Sequence, residues 1–186
     1  MSQLTDEELI TQCARGDRGA MDVLVGRYHA KLLDFAVRHV HNRETAADVA
    51  QATLVRIYER AGSFQAIASF RAWMYAIALN CVRDAYRKRR AKRESLSSEI
   101  EDSSEWTELA NGESPEDLAV EAADSAGLWD AVDELPERQR TAVLLRFRQQ
   151  LSYDEIAAVT GAPVGTTRSW IHHALKRLRK SLENGS

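Results

Sequence analysis

Arg168, Ser169, Lys176, Arg177 and Lys180 bring together the side-chain types best suited to grip a nucleic acid. A guanidinium or hydroxyl group can hydrogen-bond base edges, and lysine ammonium groups neutralise phosphates. At about 100° per residue, Val164, Thr167, Ile171, Ala174, Leu175, Leu178 and Leu182 fall on one helical stripe, whereas Gly165, Ser169, His172, His173, Lys176 and Lys180 fall opposite. One face can pack while the other meets DNA, with the long Arg168 reaching out from the stripe's edge. A second cluster lies earlier: Trp73, Tyr75 and Tyr86 are interleaved with Arg71, Arg83 and Arg87, and Phe64 and Phe70 bracket the preceding loop. Rings stack on any unpaired base while guanidinium groups follow phosphates. Phe70 and Trp73 also share a stripe with Met74 and Ile77, which favours core packing for those two, so both readings stand at this point.

Other chemistry is poorly served. His39 and His41, two apart on a helix, point about 200° away from each other and cannot easily share one metal. Cys13 and Cys81 form no Cys-x-x-Cys pair and fall within helical apolar patterns, which argues against a zinc ribbon, a disulfide scaffold or a redox sensor. No metal site, cofactor or catalytic constellation is expected.

The elements that must position these groups are helices. Nine Gly and three Pro are few for the tight bends of a sandwich or barrel, and alternating β-branched runs are lacking. Thr5 and Glu8 form a capping box flanked by Leu4 and Leu9, placing a helix start at Asp6 and an end near Arg15-Gly16-Asp17. Met21, Leu24, Tyr28, Leu32, Phe35, Ala36 and Val40 predict a second helix, and Ala47, Ala50, Leu54, Ile57 and Tyr58 a third over about 44–60. Ser69 suits the N-cap of a fourth, whose stripe Phe70, Trp73, Met74, Ile77, Cys81 and Ala85 runs into a basic cluster. Further on, Pro136 fits the first turn of a helix carrying Ala142, Val143, Leu145 and Phe147. Ser152 and Glu155 form a second capping box, Gly161 closes that helix, and the basic helix starts around Val164 to Thr166. A short helix, a turn and a longer basic helix over 152–180 is helix-turn-helix spacing.

The net charge of −3 hides a strong division. From Glu94 to Gly127 there are eleven acids and no Lys or Arg, so that stretch carries −11 and the remaining residues +8. Basic runs flank it, Arg83 to Arg93 before and Arg168 to Lys180 after, and a basic stripe is the footprint of phosphate-backbone binding. The acidic stretch reads as a linker with at most a short helix from Pro115 onward, which divides the 186 residues into domains 1–93 and 128–186 joined by 94–127. Its longest apolar run, Ala72 to Leu79, is far short of the roughly 20 residues that span a bilayer. With acids at Asp6, Glu7 and Glu8 and no apolar segment nearby, a secretory signal is not indicated, and a cytoplasmic protein without membrane insertion is expected.

Several runs together resemble the extracytoplasmic-function branch of the bacterial sigma-70 family, over nearly the whole chain. Asp48-Val49-Ala50-Gln51, Thr53-Leu54 and Phe70-Arg71-Ala72-Trp73-Met74-Tyr75-Ala76-Ile77-Ala78-Leu79-Asn80 are similar to the family's region 2. Leu135-Pro136, Arg140, Leu144-Leu145-Arg146, Leu151-Ser152-Tyr153-Asp154-Glu155-Ile156-Ala157 and Pro163-Val164-Gly165-Thr166-Thr167-Arg168-Ser169 are similar to its region 4. The resemblance implies an all-α chain of two small helical domains, a region 2 bundle and a region 4 helix-turn-helix, acting as a promoter-recognition subunit of RNA polymerase. It implies that Asp48, Gln51, Leu54 and Arg56 dock on the core enzyme. Ser63, Phe64, Ser69, Phe70, Trp73, Asn80, Arg83 and Arg87 would serve the minus-ten element as a melted single strand. Pro163, Gly165, Thr166, Arg168, Ser169, His173 and Lys176 would serve the minus-thirty-five element as duplex. It also suggests an anti-sigma partner. Ala52 stands where the family usually has an acid, Thr167 where Val is common, and Trp170 and His173 where Arg is common. The rival reading is an autonomous helix-turn-helix regulator that binds duplex DNA as a dimer, which would leave residues 1–93 without a role.

Overall fold

The computed structural model describes residues 4–65, 69–94 and 126–184, and among these the regular elements are all helical. Contacts divide the chain into two compact units, Met1–Ser103 and Ser104–Ser186. The acidic linker, with its expected short helix after Pro115, lies outside the described residues except at its two ends.

In the first unit, α1 (Asp6–Ala14) begins at the expected capping box. The Thr5 hydroxyl accepts the Glu8 amide at 3.2 Å, and the Glu8 carboxylate accepts the Thr5 amide at 2.8 Å. Leu9 is buried while Leu4 stays exposed. Helix α2 (Arg18–Val40), capped by Asp17, buries Leu24, Tyr28, Leu32, Phe35, Ala36 and Val40 as its periodicity requires. Helix α3 (Arg43–Glu59) has its inner face one position away from the expected one. Ala46, Val49, Ala50, Thr53 and Ile57 are buried, whereas Ala47 and Tyr58 are exposed and Leu54 is half-buried. Thr53 can enter the core because its hydroxyl donates back to the Val49 carbonyl at 2.7 Å, leaving only a methyl to pack. Helix α4 (Phe70–Glu94) is buried on more than a stripe: Phe70, Met74, Tyr75, Ala78, Leu79 and Val82 are all within 2 % exposure.

In the second unit, α5 (Ala126–Asp133) precedes α6 (Glu137–Val143), whose N-cap is Pro136, one residue earlier than the expected first-turn place. A π-helical turn, Leu144–Arg148, then inserts an extra residue per turn. That shift buries Leu144 and Leu145 and turns Phe147 outward to 37 % exposure, against the expected core role. Helix α7 (Tyr153–Thr160) has the expected Ser152–Glu155 capping box. It ends at Gly161 with φ 73°, a left-handed conformation that only glycine enters without strain. Helix α8 (Val164–Asn184) buries Thr167, Ile171, Ala174 and Leu178 and exposes His172, His173, Lys176 and Lys180, the two-sided pattern of the sequence.

Candidate nucleic-acid interface

The first candidate surface forms where α4 begins. The Ser69 hydroxyl accepts the Ala72 amide at 3.4 Å, as an N-cap does. A second cap, this one a carboxylate, comes from far away in sequence: Glu7 of α1 accepts the Phe70 amide at 3.1 Å. Beside it, Asp6 pairs with Arg27 at 2.6 Å and accepts the Tyr28 hydroxyl, while Arg27 also donates to the Leu4 carbonyl at 2.9 Å. Burial, then the Asp6 hydrogen bond, pushes the Tyr28 phenol up. The first helix thus fastens the start of α4.

Four aromatic rings meet there. Phe64 lies 5.4 Å from Trp73 and 6.1 Å from Phe70, and Phe70 lies 5.6 Å from Tyr28. Phe64 and Trp73 are half-buried and keep ring surface for a base, but Phe70 is 1 % exposed. Its ring has no free face in this arrangement and serves as the floor on which Phe64 and Trp73 rest. Tyr75, also grouped with the stacking aromatics by sequence, is fully buried; burial raises its phenol, and it packs at 5.3 Å on Phe35 instead. Ser63 is exposed next to the cluster, and residues 66–68 of the loop lie outside the described set.

Further along α4, Asn80 and Arg87 are exposed and Arg83 is half-buried; their spacing puts all three on one face. Arg87 bonds Asp84, which Arg56 of α3 also grips at 2.7 Å. Hydrogen bonds from Arg56 and Arg87 hold the Asp84 carboxyl below its usual range. Arg56 is therefore a strut between α3 and α4, an arrangement that sequence spacing did not reveal. Of the other residues expected to meet the polymerase, Asp48 and Gln51 are exposed and Leu54 is half-buried. The outer face that holds Asp48 and Gln51 also exposes Val55, to which the sequence pattern assigns no role, and Tyr58, which that pattern places in the core.

The second candidate surface is the α7–α8 unit. Pro163 and Gly165 are exposed, Thr166 and Ser169 half-buried, and Arg168, His173 and Lys176 exposed. Nothing lies within 4 Å of where a Gly165 side chain would start, so the backbone there is open to approach. Thr167, a departure from the family's Val, fits its buried place because its hydroxyl donates to the Pro163 carbonyl at 3.3 Å. Trp170, which stands where the family commonly has Arg, is half-buried with the Arg138 guanidinium 5.7 Å from its ring centroid. The His172 and His173 rings meet edge-on at 5.7 Å.

Among the described residues no group of three His, Cys, Asp or Glu is placed to hold an ion. His39 is buried against Phe35 with its Nδ1 2.8 Å from the Phe35 carbonyl, while His41 is exposed. Cys13 and Cys81 are buried, and burial followed by Asp17 pushes the Cys13 thiol up. No described helix is long and apolar enough to cross a membrane.

Residues 24–92 match the family described as Sigma-70 region 2, and residues 125–178 match Sigma-70, region 4. The RNA polymerase sigma-H factor of Pseudomonas aeruginosa is 35% identical, the alignment covering 98% of this chain and 96% of the relative. The ECF RNA polymerase sigma-E factor of Escherichia coli K12 is 32% identical, covering 98% and 94%. Among solved structures, CnrH in complex with the cytosolic domain of CnrY is similar with a TM-score of 0.71 at 27% identity, covering 97% of this chain and 99% of that one. The sigma factor RpoE in complex with the anti-sigma factor NepR from Bartonella quintana has the same fold, with a TM-score of 0.67 at 23% identity over 87% and 96%. Fold and similarity define the class: an all-helical, two-unit promoter-recognition protein. The chain belongs to the sigma-70 family, in its extracytoplasmic-function branch.

Proposed function

We propose that this chain binds core RNA polymerase and directs it to promoters, with residues 1–93 serving the polymerase and the minus-ten element and residues 128–186 the minus-thirty-five element. The carrying observation is that regions 2 and 4 follow one another along a single chain, each with exposed groups suited to nucleic acid. These are Asn80 and Arg87 in the first and Gly165, Arg168, His173 and Lys176 in the second. An autonomous repressor would need only the second; the similarity runs through both.

The division of labour has a physical basis. The N-terminal part of α8 enters the major groove, where Arg168 and Ser169 face base edges and Lys176 a phosphate. Extruding a base costs a few kcal/mol, which stacking against Phe64 and Trp73 and the pull of Asn80, Arg83 and Arg87 on the strand offset. Asp48, Gln51, Leu54 and the neighbouring Val55 and Tyr58 form the polymerase-facing side of α3, braced by Arg56. Action in the cytoplasm and control by an anti-sigma protein belong to the same proposal; the similarity to CnrH, solved with the cytosolic domain of CnrY, supports the latter.

Reconstitution with core polymerase followed by run-off transcription on a genomic template library tests it. Specific start sites that depend on both components are the expected outcome. Protection of a palindrome by the protein alone, with no initiation, would favour the repressor instead.

A further inference from the structure

Tyr153 is the first residue of α7 and is half-buried, its position set by the Ser152–Glu155 capping box. Two guanidinium groups lie over its ring: that of Arg146 at 4.9 Å and that of Arg168 at 5.2 Å from the centroid. They arrive from different elements, the π-helical turn and α8. Arg146 is anchored, since its Nη1 donates to the Leu151 carbonyl at 3.0 Å. Arg168 is exposed and, among the described residues, has no carboxylate partner. The Tyr153 ring thus lies against one anchored arginine and one exposed arginine of the helix expected to meet DNA.

We infer that Tyr153 is a positioning residue that orients Arg168 to read one base pair of the minus-thirty-five element; this rests on the sigma-factor reading given above. An exposed arginine samples many rotamers and must give them up on binding. Stacking on an aromatic face restricts the guanidinium plane beforehand while leaving its N–H fork directed outward, so less freedom is lost when the fork meets a guanine edge. Bidentate recognition depends on the plane of the guanidinium more than a phosphate contact depends on any one orientation. Removing the ring therefore acts on base preference at one position, whereas a merely structural residue would act on all promoters alike.

The test uses the full chain reconstituted with core polymerase, transcribing a promoter library randomised across the upstream element. For wild-type protein the position that loses its preference in Arg168→Ala identifies the base pair Arg168 reads. Tyr153→Leu is expected to weaken preference at that same position by about twofold to fivefold, the equivalent of one exposed cation–π contact. Tyr153→Phe, which keeps the ring, should retain it. In the Arg168→Ala background, Tyr153→Leu should add nothing at that position. Thermal melts of each variant separate unfolding from altered readout. An unchanged preference in Tyr153→Leu, a uniform fall across all promoters, or an effect that persists without Arg168 would each overturn the inference. If the wild-type protein initiates nowhere, the sigma-factor reading fails first, and does so before any variant is compared.

Discussion

Phe70 and Phe64 lie in the same aromatic cluster but should fail in opposite ways when truncated. Phe70 is 1 % exposed, with Tyr28, Phe64 and Trp73 around it at 5.6 to 6.1 Å, so Phe70→Ala leaves a cavity that these fixed rings cannot fill. Such buried truncations cost about 3–5 kcal/mol. For a domain of this size each kcal/mol lowers the melting temperature by roughly 4–8 °C, so a fall of at least about 12 °C is expected for the first unit. Phe64 is only half-buried, and Phe64→Ala should cost about 1 kcal/mol in stability. Its loss falls on base capture: stacking is worth about 1–3 kcal/mol per base, equivalent to roughly fivefold to a hundredfold less open complex. Thermal unfolding by circular dichroism and permanganate reactivity of promoter thymines under the holoenzyme measure the two quantities. A Phe70→Ala protein that melts like the wild type, or a Phe64→Ala holoenzyme that opens promoters normally, would refute this separation of floor from surface.

Glu7→Ala should remove the carboxylate from the start of α4, lowering first-unit stability by about 1–2 kcal/mol in thermal melts, with Glu7→Gln losing less because it keeps an acceptor. Asp84, held below the ordinary carboxylate range by Arg56 and Arg87, contributes stability that is present above that range and lost as pH falls through its depressed pKa. Being partly exposed, it should account for no more than about 1 kcal/mol, and Asp84→Asn should flatten the dependence of melting temperature on pH below about pH 4. Lys176→Ala should reduce the slope of log K against log salt for promoter binding by about 1 while leaving base preferences unchanged, measured by salt titration of holoenzyme affinity.

Features written in neighbouring residues were legible in the sequence. Both capping boxes, the glycine end of α7 and the two-sided α8 depend on spacings of three or four residues, and each stands where the pattern put it. The inner face of α3 was misjudged because a threonine counts as polar until its hydroxyl finds a carbonyl one turn back. The π-helical turn left no trace in a periodicity that assumes a constant repeat, so Phe147 was assigned to the wrong side. In the candidate sites, exposure of His173 and Lys176 followed from helical phase. The contacts that organise them did not. Glu7 meets Phe70 across 63 residues, and Tyr153 meets Arg168 from another helix; only packing of whole elements brings such pairs together.

The Glu7 tie also couples the two ends of the first unit. It closes a ring of chain that includes all of α2 and α3, so the Phe70 amide keeps its carboxylate partner only while α1 stays packed beside the start of α4. The Phe70 amide is thus a natural gauge: its hydrogen–deuterium exchange reports how often the contact between α1 and the start of α4 comes undone while the centre of the first unit stays folded.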